Sequence, residues 1–214
     1  VLRGPQGTLF GRNVTAGALV VRTQRPSFEN SGELRVVGGT DGRFDVAGKV
    51  TGTLIEDKLA GKLSVLYTSS DGYFNNTNGG GTPIGQVLGR TAPLDSDFGD
   101  TENTLIRPSL RWTPNDKLTI DLVLEYSETE GDAGAPHKQR DNTRGFPASQ
   151  GPDLDEWDEV NLSTNGINEH EYTSFVIDAT YATENGAWSW LTGYREMDQY
   201  AMIDTDGGGG DIFV

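Results

Sequence analysis

From residue 33 onward the chain alternates apolar and polar positions with period two, the pattern of strands that present one apolar and one polar face. Across 43–55 the even positions are Phe44, Val46, Gly48, Val50, Gly52 and Leu54, whereas the odd ones include Arg43, Asp45, Lys49, Thr51 and Thr53. The apolar face of 59–68 is Leu59, Gly61, Leu63, Val65 and Tyr67, and that of 118–127 is Leu118, Ile120, Leu122, Leu124 and Tyr126. In 104–113, Ile106, Pro108, Leu110 and Trp112 oppose Arg107, Ser109 and Arg111, with Pro108 a defect because proline gives a ladder no donor. Segment 172–182 sets Phe175, Ile177, Ala179 and Tyr181 against Ser174, Asp178 and Thr180. A stretch from 188 to about 202 carries Trp188, Trp190 and Tyr194, and a shorter one covers 33–39. Seven antiparallel strands are predicted, long enough to cross a bilayer when tilted.

The connections fall into two kinds. Turns at Glu56-Asp57-Lys58, Pro114-Asn115-Asp116 and Glu184-Asn185-Gly186 are short, and long loops at about 70–103 and 128–170 lie between them, at the opposite end. Short turns at one end and long loops at the other are the arrangement of outer-membrane barrels, with the Asp41-Gly42 hairpin the one short exception. Trp112, Tyr181 and Trp188 fall by the short turns, and Tyr67 and Tyr126 by the long loops, as two interfacial girdles. The fold class predicted is all-β, an antiparallel transmembrane β-barrel. A soluble β-sandwich alternates in the same way strand by strand; the one-sided loop lengths favour the barrel.

Composition changes the picture in two places. Only 34% of the residues are hydrophobic and the mean hydropathy is -0.50, so neither a conventional globule nor a membrane-spanning helix is indicated, while alternation conceals a barrel from such averages. The net charge of -15 disfavours nucleic acid as a partner. Its distribution is uneven: residues 1–25 carry Arg3, Arg12, Arg22 and Arg25 and no carboxylate, whereas 128–171 carry eleven carboxylates against three basic residues. The 29 glycines fit a loop-rich envelope protein, and the lack of cysteine decides nothing.

Candidate chemistry is sparse. The glycines at 4, 7 and 11 are not followed by a Gly-Lys-Ser/Thr sequence, which disfavours a phosphate loop. The acidic run from Asp153 to Glu159, and Asp204-Thr205-Asp206-Gly207 with Asp211, have fragments of a cation-loop rhythm without the full spacing, and read as solvated acidic loops. His137 and His170 read as isolated loop residues. No nucleophile stands beside a base in a known pattern, so no enzyme and no cofactor are predicted. Tyr73, Phe74, Phe98, Phe146 and Trp157 are read as packing the loops rather than stacking on a ligand.

The first 26 residues hold the most specific signal. Val1-Leu2-Arg3-Gly4-Pro5, then Gly7-Thr8-Leu9-Phe10-Gly11-Arg12-Asn13, then Gly17-Ala18-Leu19-Val20-Val21 and finally Thr23-Gln24-Arg25-Pro26 follow one another in an order that resembles the end of the plug of TonB-dependent outer-membrane receptors. The resemblance is specific here and generic over the strands. It implies that 1–26 is the C-terminal part of a plug domain, 27–32 a connector, and 33–214 the N-terminal portion of a transmembrane β-barrel of about 22 strands. Arg3, Gly4, Pro5, Gly7, Gly11, Arg12, Asn13 and Gly17 are the plug-motif positions, their glycines permitting tight turns, with 18–23 a short plug strand.

What the resemblance implies about function is uptake of a scarce ligand across the outer membrane: a ferric siderophore, otherwise haem, cobalamin or a saccharide. The partners it implies are the TonB complex, through a region not in this sequence, outer-membrane lipid and lipopolysaccharide. The absence of an initiator Met or signal peptide, and seven strands with open edges, lead to the expectation of a fragment. Lumen-facing Asp45, Asp121, Glu125 and Asp178 are expected to offer a partner to Arg3 or Arg12, the alternative being solvated arginines. A porin-like or adhesive surface barrel and a soluble saccharide-binding or hydrolytic β-domain are the competing readings.

Overall fold

A computed structural model describes residues 2–5, 7, 16–19, 23–76, 97–132, 158–160 and 165–203. Its strands are β1 (Leu2–Arg3), β2 (Gly17–Ala18), β3 (Ser31–Gly38), β4 (Phe44–Ile55), β5 (Leu59–Ser70), β6 (Phe74–Asn76), β7 (Asp97–Phe98), β8 (Thr101–Asn115), β9 (Leu118–Gly131), β10 (Glu159–Val160), β11 (Ile167–Thr183) and β12 (Gly186–Met202). Seven of them form one antiparallel meander in the order β12-β11-β9-β8-β5-β4-β3, matching the seven predicted from alternation.

Local chemistry sets the turns. Asp41 (φ 54°) and Gly42 (φ 61°) both take positive φ, as a two-residue turn twisted with its flanking strands demands. The turn after β8 is Asp116-Lys117, one position beyond the sequence reading: Pro114 and Asn115 lie inside the strand, and Asn115 Oδ1 accepts the Lys117 and Leu118 N–H groups. Pro108 does fall within an interior strand. Its register with Leu63 of β5 continues, while pairing with β9 stops at Ile106↔Tyr126 and resumes at Ser109↔Val123.

The register aligns the outward side chains into rows. One runs Leu59, Trp112, Ile120, Ala179 and Trp190; another, nearer the long loops, runs Tyr67, Thr104, Glu128, Glu171 and Asp198. Trp112 and Thr104 are eight residues apart on β8, about 27 Å along a strand at about 3.4 Å per residue, which matches the apolar band of an outer-membrane barrel. Leu63, Val65, Ile106, Leu110, Leu124 and Phe175 sit within the band and are all exposed. β11 and β12 have 17 residues each, and their loop-side ends, where Glu171, Glu196 and Asp198 take the outward positions, extend past it.

The sheet is one layer thick, so among the described residues only Ala60, Phe98 and Val160 are buried hydrophobics. Two of these belong to a smaller sheet at the long-loop end, in the order β10-β6-β7. There β10 runs parallel to β6, a departure from the purely antiparallel expectation. At the other extreme of the sequence, β1 and β2 pair through Leu2↔Ala18 and Arg3↔Gly17.

Candidate functional site

The inner face of the large sheet carries most of the polar positions of β4, β5, β8, β9 and β11, and the segment leading into β3 lies across it. Lys62 Nζ of β5 donates to the Gln24 carbonyl (2.8 Å). The Ser27 N–H donates to Thr51 Oγ1 of β4 (2.9 Å), whose hydroxyl donates to the Gly61 carbonyl (2.9 Å). Thr53 Oγ1 donates to the Phe28 carbonyl (2.6 Å), and Asn30 Oδ1 accepts the Thr53 N–H (3.3 Å). Pro26, which needs no donor's partner, is buried between these contacts. An irregular segment thus takes its backbone hydrogen bonds from the wall it crosses, while most of it stays exposed and only Pro26 is buried.

Arg25 makes the longest reach. Its Nη1 lies 3.0 Å from Asp121 Oδ2 of β9 and its Nη2 2.7 Å from Asp178 Oδ2 of β11. The two carboxylates are register neighbours, Asp178↔Asp121, and Arg111 of β8 is paired with Asp121 on the other side. Arg111 grips Asp121 with two parallel bonds, Nε to Oδ1 at 2.7 Å and Nη2 to Oδ2 at 3.0 Å. A planar guanidinium suits that bidentate geometry. The Asp121 side chain is only 6% exposed, and two arginines meet its charge.

Two further ion pairs line the wall: Arg107 with Glu125, and Lys49 with Glu33 at 2.8 Å. Asp45 is met by Arg43. Among the described residues the wall carboxylates named from the sequence are therefore engaged by Arg43, Arg107, Arg111 and Arg25. Arg25, in the closing Thr23-Gln24-Arg25-Pro26 of the plug-like motif, was not named among the expected partners; those were Arg3 or Arg12, and Arg12 lies outside the described residues. Alternation marked the inward carboxylates; only chain direction after Pro26 brings Arg25 over them.

Of the plug-motif positions, Arg3, Gly4, Pro5, Gly7 and Gly17 are described, and Gly11, Arg12 and Asn13 lie outside the described residues. Gly4 has φ 81°, and its N–H donates to the Ala16 carbonyl (3.2 Å), closing the strand pair. A Cβ on Gly17 would stand 2.6 Å from the Leu2 carbonyl oxygen, so glycine lets β2 approach β1. The strand expected at 18–23 begins at Gly17, and 20–22 lie outside the described residues.

At the loop end, Phe98 and Phe74 pack together with Val160, as expected of loop-packing aromatics, and Tyr73 lies 4.3 Å from Phe74, centroid to centroid. Phe146 and Trp157 lie outside the described residues, as do His137, Asp153–157 and the 204–211 acidic segment. His170 is corrected from loop to strand: it is half-buried in β11, its Nε2 2.8 Å from Asn168 Oδ1. The alternation read at 172–182 began too late to reveal it. Among the described residues no three His, Asp or Glu side chains gather where an ion could be held.

No protein-family model matches the chain. The ferrioxamine B receptor of Salmonella typhimurium is 26% identical over 136 residues, 63% of this chain and 16% of that protein. The vitamin B12 transporter BtuB of Photobacterium profundum is 23% identical over 204 residues, 92% of this chain and 31% of that protein. Among solved structures, the ferric yersiniabactin uptake receptor FyuA from Yersinia pestis superposes with a TM-score of 0.72 at 17% identity, over 95% of this chain and 28% of that one, which shows the fold. The chain spans less than a third of each of these proteins. Their names describe receptors and a transporter, and the resemblance to TonB-dependent receptors carried by the first 26 residues agrees with them.

Proposed function

We propose that this chain, similar in sequence and fold to TonB-dependent outer-membrane receptors, serves the active uptake of a ferric siderophore. In this reading 1–26 is the end of the plug, 27–32 the connector and 33–214 the first part of the barrel. The observation that carries it is the path of residues 24–30, which cross the inner face of the sheet and run directly into β3. In this reading, the residues before Gln24 belong to a plug on the inner side of the wall, which the crossing of 24–30 supports. On the same reading Arg3, Gly4, Pro5, Gly7, Gly11, Arg12, Asn13 and Gly17 are the plug-motif positions, and energy reaches the plug from the TonB complex. The outward apolar band meets membrane lipid, and the outward carboxylates beyond Tyr126 lie at the level of lipopolysaccharide headgroups.

The siderophore class is supported by the names of the ferrioxamine B and ferric yersiniabactin receptors. A second reading, a cobalamin, is favoured by the likeness to BtuB, which extends over 92% of the chain. Radiolabelled uptake of ferrioxamine B, yersiniabactin-type ferric chelates and cobalamin, compared between the native host and a strain lacking the gene, separates them. Energy-dependent loss of a ferric chelate supports the proposal, and loss of cobalamin alone transfers it to the second reading. Unchanged uptake of all of them, with the protein present in the outer membrane, overturns uptake of a ferric siderophore or a cobalamin.

A further inference from the structure

We propose that the inner wall on the loop side of the connector is a binding surface for a ferric chelate of net negative charge, with Arg35 and Arg195 as the residues that meet that charge. The inference rests on the uptake proposed above and adds the charge class of the ligand. It is carried by the way strand register sorts the charges of the seven long strands between the two faces of the sheet.

All the lysines and arginines of these strands, Arg35, Lys49, Lys62, Arg107, Arg111 and Arg195, occupy inward positions. The outward positions hold seven carboxylates, Glu102 and Glu196 among them, and no cation among the described residues. A lipid-facing band explains why charge avoids its own span, but the outward positions beyond the band are open to either sign and hold only one. The acidic stretch 128–171 thus turns Glu128, Glu130, Glu169 and Glu171 away from the inner face. On that face the carboxylates are Glu33, Asp45, Asp121, Glu125 and Asp178, and each is already held by a lysine or an arginine.

The uncompensated cations lie nearer the long loops than the connector, which crosses at Thr51, Lys62 and Asp121. One inward row contains the Lys49–Glu33 and Arg107–Glu125 pairs and ends at Arg195; the next, about 7 Å further along the strands, runs from Arg35 through Leu66, Leu105 and Tyr172 to Met197. Among the described residues neither Arg35 nor Arg195 has a carboxylate at ion-pair distance. Lys49 holds Glu33 at 2.8 Å, and the Arg195 guanidinium lies 6.0 Å from the centre of the Tyr172 ring. Beyond them the wall is neutral: Thr129 Oγ1 donates to Asn103 Oδ1 (2.8 Å), Asn103 Nδ2 donates to Thr68 Oγ1 (3.1 Å), and Asp45 is held by Arg43 (2.8 Å). Free positive charge beside the exposed Leu66 and Met197 suits a ligand that is anionic yet partly apolar. Iron(III) held by three catecholate groups is such a ligand, with net negative charge and aryl edges, whereas three hydroxamates leave it neutral.

The test uses the full-length protein in detergent and equilibrium dialysis against two radio-iron probes, the iron(III) complexes of a hexadentate tris-catecholate and of a hexadentate trihydroxamate. The tris-catecholate is expected to bind about tenfold more tightly at low salt, and added salt should narrow that margin. Arg35→Gln and Arg195→Gln are each expected to weaken it about 3- to 10-fold and to leave the trihydroxamate within about twofold, whereas Arg195→Lys, which keeps the charge, restores native binding. Preference for the trihydroxamate, or tris-catecholate binding that both Gln variants leave unchanged, overturns the inference and leaves siderophore uptake standing. If Arg195→Lys is as weak as Arg195→Gln, contact with Tyr172 rather than charge is at work, and the assignment of Arg195 falls. Binding of cobalamin with neither ferric probe bound removes the uptake reading and this inference with it. Heat-modifiable migration verifies folding; a variant that fails leaves the decision to the other, on a different strand, and to the native preference between the probes.

Discussion

Arg25→Ala removes two ion pairs at once, those to Asp121 and Asp178. The arginine side chain is 56% exposed, so solvent screens both pairs and each contributes about 0.5–1 kcal/mol. Asp121, although only 6% exposed, is not orphaned, because Arg111 keeps its bidentate grip. The expected cost is about 1–2 kcal/mol, confined to the connector, which corresponds to roughly 5- to 30-fold faster opening there. Arg111→Ala is the contrast. It leaves a buried carboxylate with one exposed partner, a change costing about 3 kcal/mol or more and felt through β8 and β9. Hydrogen exchange of the full-length protein in detergent reads both: Arg25→Ala accelerates the Ser27 amide, which is bonded to Thr51, and leaves Leu63 and Val123 in the sheet unchanged. The reasoning is refuted if Ser27 exchange is unaltered, or if Arg25→Ala weakens the sheet as much as Arg111→Ala. Raising salt should shrink the effect of Arg25→Ala more than that of Arg111→Ala.

Adjacent residues on β5 should respond in opposite ways. Leu63→Arg places a charge on the lipid face and costs about 2–4 kcal/mol, whereas Ser64→Asp sits in register between Lys49 and Arg107 on the inner face and changes stability by no more than about 1 kcal/mol; urea titration of protein folded into lipid vesicles distinguishes them. Thr51→Val keeps the shape but strands the Ser27 N–H, with an expected local cost of about 1–2 kcal/mol visible as faster exchange at Ser27 alone. Gly72→Ala puts a Cβ 2.6 Å from the Phe98 carbonyl at a residue with φ 82°, so the pairing of β6 with β7 and β10 should loosen, read as faster hydrogen exchange at the Asn75 amide, which donates to the Asp158 carbonyl.

The seven strands, their inward and outward faces and the short turns were legible in the sequence, because a half-buried strand writes its two environments into alternate positions. Strand ends were less so. β11 begins at Ile167, five residues before the alternation that marked it, because Asn168 and His170 at the inner positions and Glu169 and Glu171 at the outer ones are all polar beyond the lipid band. Nor did the pattern disclose β6, β7 and β10, whose two or three residues are too short to show a period and pair across distant loops.

By itself, the sequence determined the sheet, its lipid-facing side and the plug-like character of its first residues, all of which rest on local order along the chain. The tertiary structure alone decided which charges meet. Asp121 and Asp178 are 57 positions apart and become neighbours only through strand register, and Arg25 reaches them only because the connector turns across the inner wall before entering β3. The Asp132 N–H likewise meets Asp100 Oδ1 because β8 and β9 end side by side. Alternation fixes the face on which a side chain lies, whereas ion pairing depends on distances of a few ångströms across strands, which the one-dimensional pattern does not encode.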